Sequence, residues 1–228
     1  MLDQTTERIV SRLKDRSRFP LNMKVYKAGA IHISGRRKIS LLQFAVEGIE
    51  AYHASLGRYE YKDQQPLFLK SPCRSRIKRA NTYVNIYTHG TEGIAEEVLA
   101  FYTGMLPRLC KPGDKPDTYG ETAYVDADLI ELLHERINTA GRYAAQFKLN
   151  SDPRIKKYAM NLSNYGKLET LLRNQRREDV VVRKAVRAAR LYGLDPYITS
   201  HIFKWLIEKT VSVELTYING IAMASGGI

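Results

Sequence analysis

Hydrophobic positions recur every three to four residues along most of the chain, which predicts helices almost throughout. Ile9, Val10 and Leu13 mark a first helix, opened by Thr5-Thr6-Glu7 and stopped before Pro20. Residues 20–38 read as a loop broken by Gly29 and Gly35. Leu42, Phe44, Val46, Ile49 and Tyr52 mark a second helix over 39–56, ended by Gly57. A third is predicted over 91–106, ended by Pro107. Between them, Tyr83-Val84-Asn85-Ile86-Tyr87 has the look of a short strand without an evident partner.

Leu129, Leu132, Leu133, Ile137, Ala140, Ala144 and Phe147 predict a long helix over 126–149, with Asp126 as its N-cap. Asp152-Pro153 starts a further helix. Short helices are expected over 167–173 and 178–192, the latter closed by Gly193. Asp195-Pro196 leads into a last one over 197–218. The uncharged tail from Gly220 reads as frayed or packed on a partner. No strand–helix alternation and no internal repeat occurs, so the expected fold is an all-α, multi-helix bundle, and a doubly wound sheet is disfavoured.

The chain has 228 residues, enough for one large domain or two small ones, with 44% hydrophobic and 26% charged residues. No apolar run reaches the length of a membrane span, and the first residues lack a secretory pattern. Cys73 and Cys110 lack metal spacing and do not suggest a disulfide framework, so a reducing cytoplasm is the expected compartment. His32, His53, His89, His134 and His201 are dispersed and suggest no metal site. No Walker, nucleophile-elbow or dinucleotide motif is present, and no cofactor is expected.

A net charge of +12 calls for an anionic partner. That partner is a nucleic acid or a small polyanion held in a pocket; the cations are scattered, so most of them read as a solvated surface and a nucleic-acid surface is disfavoured. Three constellations could hold one. Arg136, Arg142 and Lys148 lie on the long helix, Asn174 and Glu178 are four apart, and so are Thr210 and Glu214. Four residues bring side chains to one helical face, and bundles build sites from facing helices. Each group also has a plain structural reading. Asn174 caps a helix, Glu178 suits a helix N-terminus, and Thr210 bonds back within its own turn. Glu214 lies in an apolar run, where burial favours the neutral acid.

Their joint arrangement resembles the all-helical chorismate mutases of the fungal and plant branch. The likeness is carried by Ile9 to Phe19 with Val25-Tyr26, by Arg58-Tyr59-Glu60 through Gln65-Pro66-Leu67-Phe68, and by Tyr119-Gly120. It continues through Gly141-Arg142-Tyr143-Ala144-Ala145-Gln146-Phe147-Lys148 and Gly193-Leu194-Asp195-Pro196. The resemblance implies one helical domain over 1–228, with catalytic helices over 126–218 and a regulatory and dimer region over 39–125. The implied reaction is the Claisen rearrangement of chorismate to prephenate, a step of phenylalanine and tyrosine biosynthesis that needs no nucleophile. Lys148 and a protonated Glu214 would contact the ether oxygen. Asn174 and Thr210 would hold a carboxylate, and Glu178 would accept from the ring hydroxyl.

Two departures accompany the likeness. The family's carboxylate-binding arginine near its first helix has no counterpart, and Arg12 is a candidate substitute. The family's arginine stands eleven residues before its lysine. Here Arg136 is twelve before Lys148, about 120° away around a helix instead of about 20°. A π-bulge would restore the register; without one, Arg142 or another cation must serve. Arg58 and Gly120 match the family's tyrosine and tryptophan effector site, and a homodimer is implied. A non-catalytic relative that binds chorismate or an aromatic amino acid, and a lyase acting on isochorismate, are the competing readings.

Overall fold

The computed structural model describes residues 2–36, 38–60, 64–70, 75–77, 93–160 and 165–225, the side chains of 2, 3 and 225 excepted. Among these residues all regular structure is helical: α1 Leu2–Arg16, α2 Leu41–Ser55, α3 Ile94–Leu109, α4 Tyr119–Ser151, α5 Pro153–Ala159, α6 Tyr165–Leu172, α7 Gln175–Leu191 and α8 Pro196–Ser225. The stretch 83–87, with Cys73 and His89, lies outside the described residues.

Local chemistry sets several boundaries. Ser40 caps α2 by accepting from the Gln43 N–H at 3.0 Å. Asp152 caps α5, whose first residue is Pro153, by accepting from the Arg154 N–H at 2.9 Å. Gly193, at φ 68°, takes the left-handed turn after α7 that glycine adopts without strain.

The 33 residues of α4 make a rod about 50 Å long, against which most other helices pack. α8 runs beside it, α7 covers α8, and α1 lies on both α4 and α7. α2 and α3 pack on α4, while α5 and α6 pack on each other and on α8. Two apolar clusters result. The larger joins Ile9 and Leu13 of α1, Val46 of α2, Tyr102 of α3, Leu133 of α4 and Phe203 of α8. The smaller joins Ala145, Ile155, Leu168, Leu172, Leu215 and Ile218. Arg136, Lys148, Thr210 and Glu214 fall on α4 and α8 in the stretch where one cluster gives way to the other.

Several features differ from those the sequence predicts. α4 begins at Tyr119, so Asp126 lies inside the helix and is not its N-cap. Asp126 is fully buried, and there it meets Arg16 Nε at 2.7 Å and accepts from the Tyr26 and Tyr102 hydroxyls. A short acid before an apolar run serves a cap or a buried acceptor equally, and the partners that decide are remote in sequence. Pro107 does not end α3; its missing N–H falls in the last turn, and the helix reaches Leu109. The 20–38 loop contains a 3₁₀ turn at Met23–Tyr26. Asn22 ties that loop to the start of α4, donating to Thr118 and Thr122 and accepting from the Lys115 N–H at 2.8 Å. The C-terminal tail is helical to Ser225, because Ile221 and Ala222 pack on the smaller cluster.

Candidate active site

A cleft of about 360 Å³ opens between the second half of α4, the turn from α6 into α7, and α8. Its polar lining is Arg136, Lys148 and Ser151 from α4, Asp152 at the cap of α5, Arg173, Asn174, Arg177 and Glu178 from the turn and α7, and Thr210 and Glu214 from α8. Four cations thus face three carboxyls. The remaining wall is mostly apolar, with Ala140, Ala144, Leu172, Val181 and Ile207.

The centre of this array is a pair. Lys148 Nζ lies 2.6 Å from Glu214 Oε2 and donates to the Leu172 carbonyl at 2.5 Å. The carbonyl is one of the last in α6, so the end of that helix aims the ammonium. Glu214 is nearly buried. Burial pushes its carboxyl above the ordinary range, while Lys148 and Arg136 pull the other way without cancelling the rise.

Arg136 reaches the cleft in spite of its register. α4 is an unbroken α-helix with no π turn over these residues, so the offset of about 120° stands. The long side chain spans it and donates to Thr210 Oγ1 at 3.2 Å. Burial draws the pKa of this guanidinium down, and Glu214 offsets part of that. Arg142 does not serve in its place. It is buried away from the cleft lining, near His134, whose imidazole is pushed down to about 4 by burial first and by Arg142 second.

Asn174 and Glu178 satisfy both readings of their spacing. Asn174 Oδ1 caps α7 by accepting from the Arg177 N–H at 3.1 Å. Glu178 accepts from the Asn174 N–H at 3.1 Å and from Arg173 at 3.4 Å. Both also line the cleft. Capping uses the Asn174 oxygen and leaves its NH₂ as the group a carboxylate could accept from. Thr210 donates to the Leu206 carbonyl at 2.7 Å, so its oxygen is turned to accept from Arg136.

Arg12 is not near the cleft. It pairs with Asp128 and, at 3.1 Å, with Asp15. Two cations absent from the sequence reading are there instead. Arg173 is shared among Glu169, Glu178 and Glu208 at 3.4–3.5 Å. Arg177 makes no ion pair among the described residues and also borders an adjoining hollow that Thr5 of α1 helps to line. The cap at Asn174 fixes the phase of α7 and so places residues 177, 178 and 181 on one side, a signal available in the sequence.

Arg58 pairs with Glu135 at 3.4 Å. Gly120 is exposed in the first turn of α4, fifteen residues or about 22 Å along the axis from Glu135. One chain therefore does not bring Arg58 and Gly120 into a single site.

Residues 118–215 match the family model of chorismate mutase type II. The chain is 27% identical to chorismate mutase 2 of Arabidopsis thaliana, over 92% of the chain and 86% of that protein. It is 25% identical to a chorismate mutase of Trichoderma parareesei, over 92% of the chain and 82% of that protein. In fold it is similar to the Candida albicans chorismate mutase crystallised with L-Trp, with a TM-score of 0.86 at 22% identity, covering 96% of this chain and 87% of that one. The matched segment holds every residue of the cleft, and the chain is similar over nearly its whole length to plant and fungal chorismate mutases and shares their all-helical fold.

Proposed function

We propose that the cleft binds chorismate and rearranges it to prephenate. The observation that carries this reading is the Lys148–Glu214 pair set in a cleft with a mostly apolar wall and a surplus of cations. Chorismate carries two carboxylates. In the rearrangement one C–O bond breaks as one C–C bond forms, and no proton or electron leaves the molecule. A protein can help by holding the folded conformer and by stabilising charge that grows on the ether oxygen.

Each requirement has residues to meet it. Lys148 and a neutral Glu214 are two donors side by side, suited to the ether oxygen. Burial favours the neutral acid at Glu214, which is the form that can donate. One such donor is worth about 3–4 kcal/mol in related oxyanion sites. Arg136, steadied by Thr210, and Arg177 are the guanidiniums in the cleft without an ion pair among the described residues, and they are assigned to the substrate carboxylates together with Asn174. Glu178, held by Arg173 and the Asn174 N–H, is assigned to the ring hydroxyl.

The wider reading places this step in phenylalanine and tyrosine biosynthesis, in a cytoplasmic homodimer. Its effectors are aromatic amino acids, which act where Arg58 of one copy meets Gly120 of the other. Support for effectors comes from structural neighbours: the Candida albicans protein was crystallised with L-Trp, and another with tyrosine in an allosteric site.

The test is to mix the purified chain with chorismate, follow loss of its ultraviolet absorbance and identify the product. Prephenate is expected. Salicylate formed in a parallel reaction supplied with isochorismate would assign lyase chemistry. Binding without turnover would assign a relative that has kept the cleft and lost the reaction.

A further inference from the structure

A second pocket, of about 290 Å³, lies across α8 from the cleft, between α3, α4 and α8. Its volume is at the small end of ligand sites, which suits a molecule of amino-acid size. Ile94, Val98, Ile137 and Val213 give it apolar walls, and Trp205 closes one side. Trp205 is held rigid by parallel stacking on Phe101, with centroids 3.8 Å apart. Neither Arg58 nor Gly120 borders this pocket.

The polar groups at its rim define the charge of the guest. Glu97 of α3 and Lys209 of α8 face each other at 2.5 Å. A guest with one charge would take one partner and leave the other unmatched. A guest with both charges replaces one ion pair with two. The hydroxyls point the same way. Ser212 donates to the Glu208 carbonyl at 3.1 Å and Thr216 to the Ser212 carbonyl at 2.9 Å. Their hydrogens are used within the helix, so both oxygens offer only lone pairs to the pocket. Three acceptors, Glu97, Ser212 and Thr216, suit an ammonium, and Lys209 suits a carboxylate.

We propose that this pocket binds an amino-acid zwitterion with an apolar side chain, the ammonium on Glu97 and the two hydroxyls, the carboxylate on Lys209, and the side chain against Val98, Ile137 and Trp205. Val213, on its wall, lies between Thr210 and Glu214, so the guest occupies the opposite face of the helix that lines the cleft. The assignment does not depend on the reaction proposed for the cleft.

The chain has a single tryptophan, Trp205, so its emission reports on this pocket. The whole chain is titrated with phenylalanine and leucine while Trp205 fluorescence is followed, with calorimetry in parallel. The singly charged 3-phenylpropionate and phenethylamine serve as controls. Saturable binding of the amino acids is expected, at least about tenfold tighter than either control. It should be lost in Lys209→Ala and in Glu97→Ala at unchanged helical content, and kept in Arg58→Ala. Absence of both a fluorescence change and heat at millimolar ligand would overturn the proposal. So would binding that survives Lys209→Ala and disappears in Arg58→Ala.

Discussion

Gly141 of α4 packs tightly against α8, and replacing it perturbs the cleft from a position that does not itself line it. A methyl group at 141 would sit 3.0 Å from Val213 Cγ1 and 3.2 Å from the Thr210 carbonyl oxygen. The valine methyl can shift by a few tenths of an ångström; the carbonyl moves only with α8. Overpacking of this kind costs about 1–3 kcal/mol. The alanine returns about 1 kcal/mol through helix propensity. Gly141→Ala should therefore lose up to about 2 kcal/mol in urea denaturation. The effect on turnover should be larger than that loss suggests. Thr210 and Glu214 ride on the displaced turn, and the Arg136–Thr210 bond is already long at 3.2 Å. Misplacement approaching 1 Å can cost about a hundredfold, so a loss of about ten- to a hundredfold in kcat/KM is expected. Adding Val213→Ala relieves the contact with the side chain and should restore part of both. Undiminished activity in Gly141→Ala would refute the claim that helix spacing sets the cleft.

Three further outcomes follow from buried acids. Glu214 is held above its ordinary pKa mainly by burial, so its protonated fraction falls as pH rises through that value. If the neutral acid is the working form, kcat/KM declines toward alkaline pH, and Glu214→Gln, which always donates, extends the plateau; superimposable pH profiles would contradict this. Glu131 is pushed up to about 7 by burial, with Arg58 opposing and Glu50, Asp128 and Glu135 adding to the rise. Its folded pKa lies above its unfolded one, so its contribution is complete below about pH 4.5 and is lost as pH rises through 7. Glu131→Gln should thus raise stability by about 2–3 kcal/mol at pH 8 and leave it unchanged at pH 4, as read by thermal melts. Asp126→Asn leaves the fully buried Arg16 guanidinium without its counter-charge and should cost about 3–5 kcal/mol in urea denaturation, where a loss under 1 kcal/mol would show the pair to be dispensable.

The helices were legible because amphipathic periodicity is local: Ile9, Val10 and Leu13 announce α1 without reference to anything distant. The start of α4 was not, because its first two turns carry Thr122 and Asp126, whose polarity is absorbed by Asn22, Arg16, Tyr26 and Tyr102 from elsewhere in the chain. In the cleft, Lys148, Glu178, Thr210 and Glu214 were found because residues four apart share a face and because the chain resembles a known family. Spacing misleads at Arg136, since a phase argument locates the Cα and takes no account of a long flexible side chain. Arg173 and Arg177 were hidden in a basic run of the kind that usually faces water. Only the turn between α6 and α7 folds that run over the cleft.

The central claim is that Lys148 and Glu214 act together on a chorismate ether oxygen. It is tested most directly by single-turnover conversion of chorismate in the wild-type chain, in Lys148→Ala and in Glu214→Ala, with helical content and chorismate affinity measured on each. The account predicts prephenate from the wild type and a loss of about a hundredfold or more in the chemical step of each variant at retained fold. Near wild-type rates in either variant would contradict it.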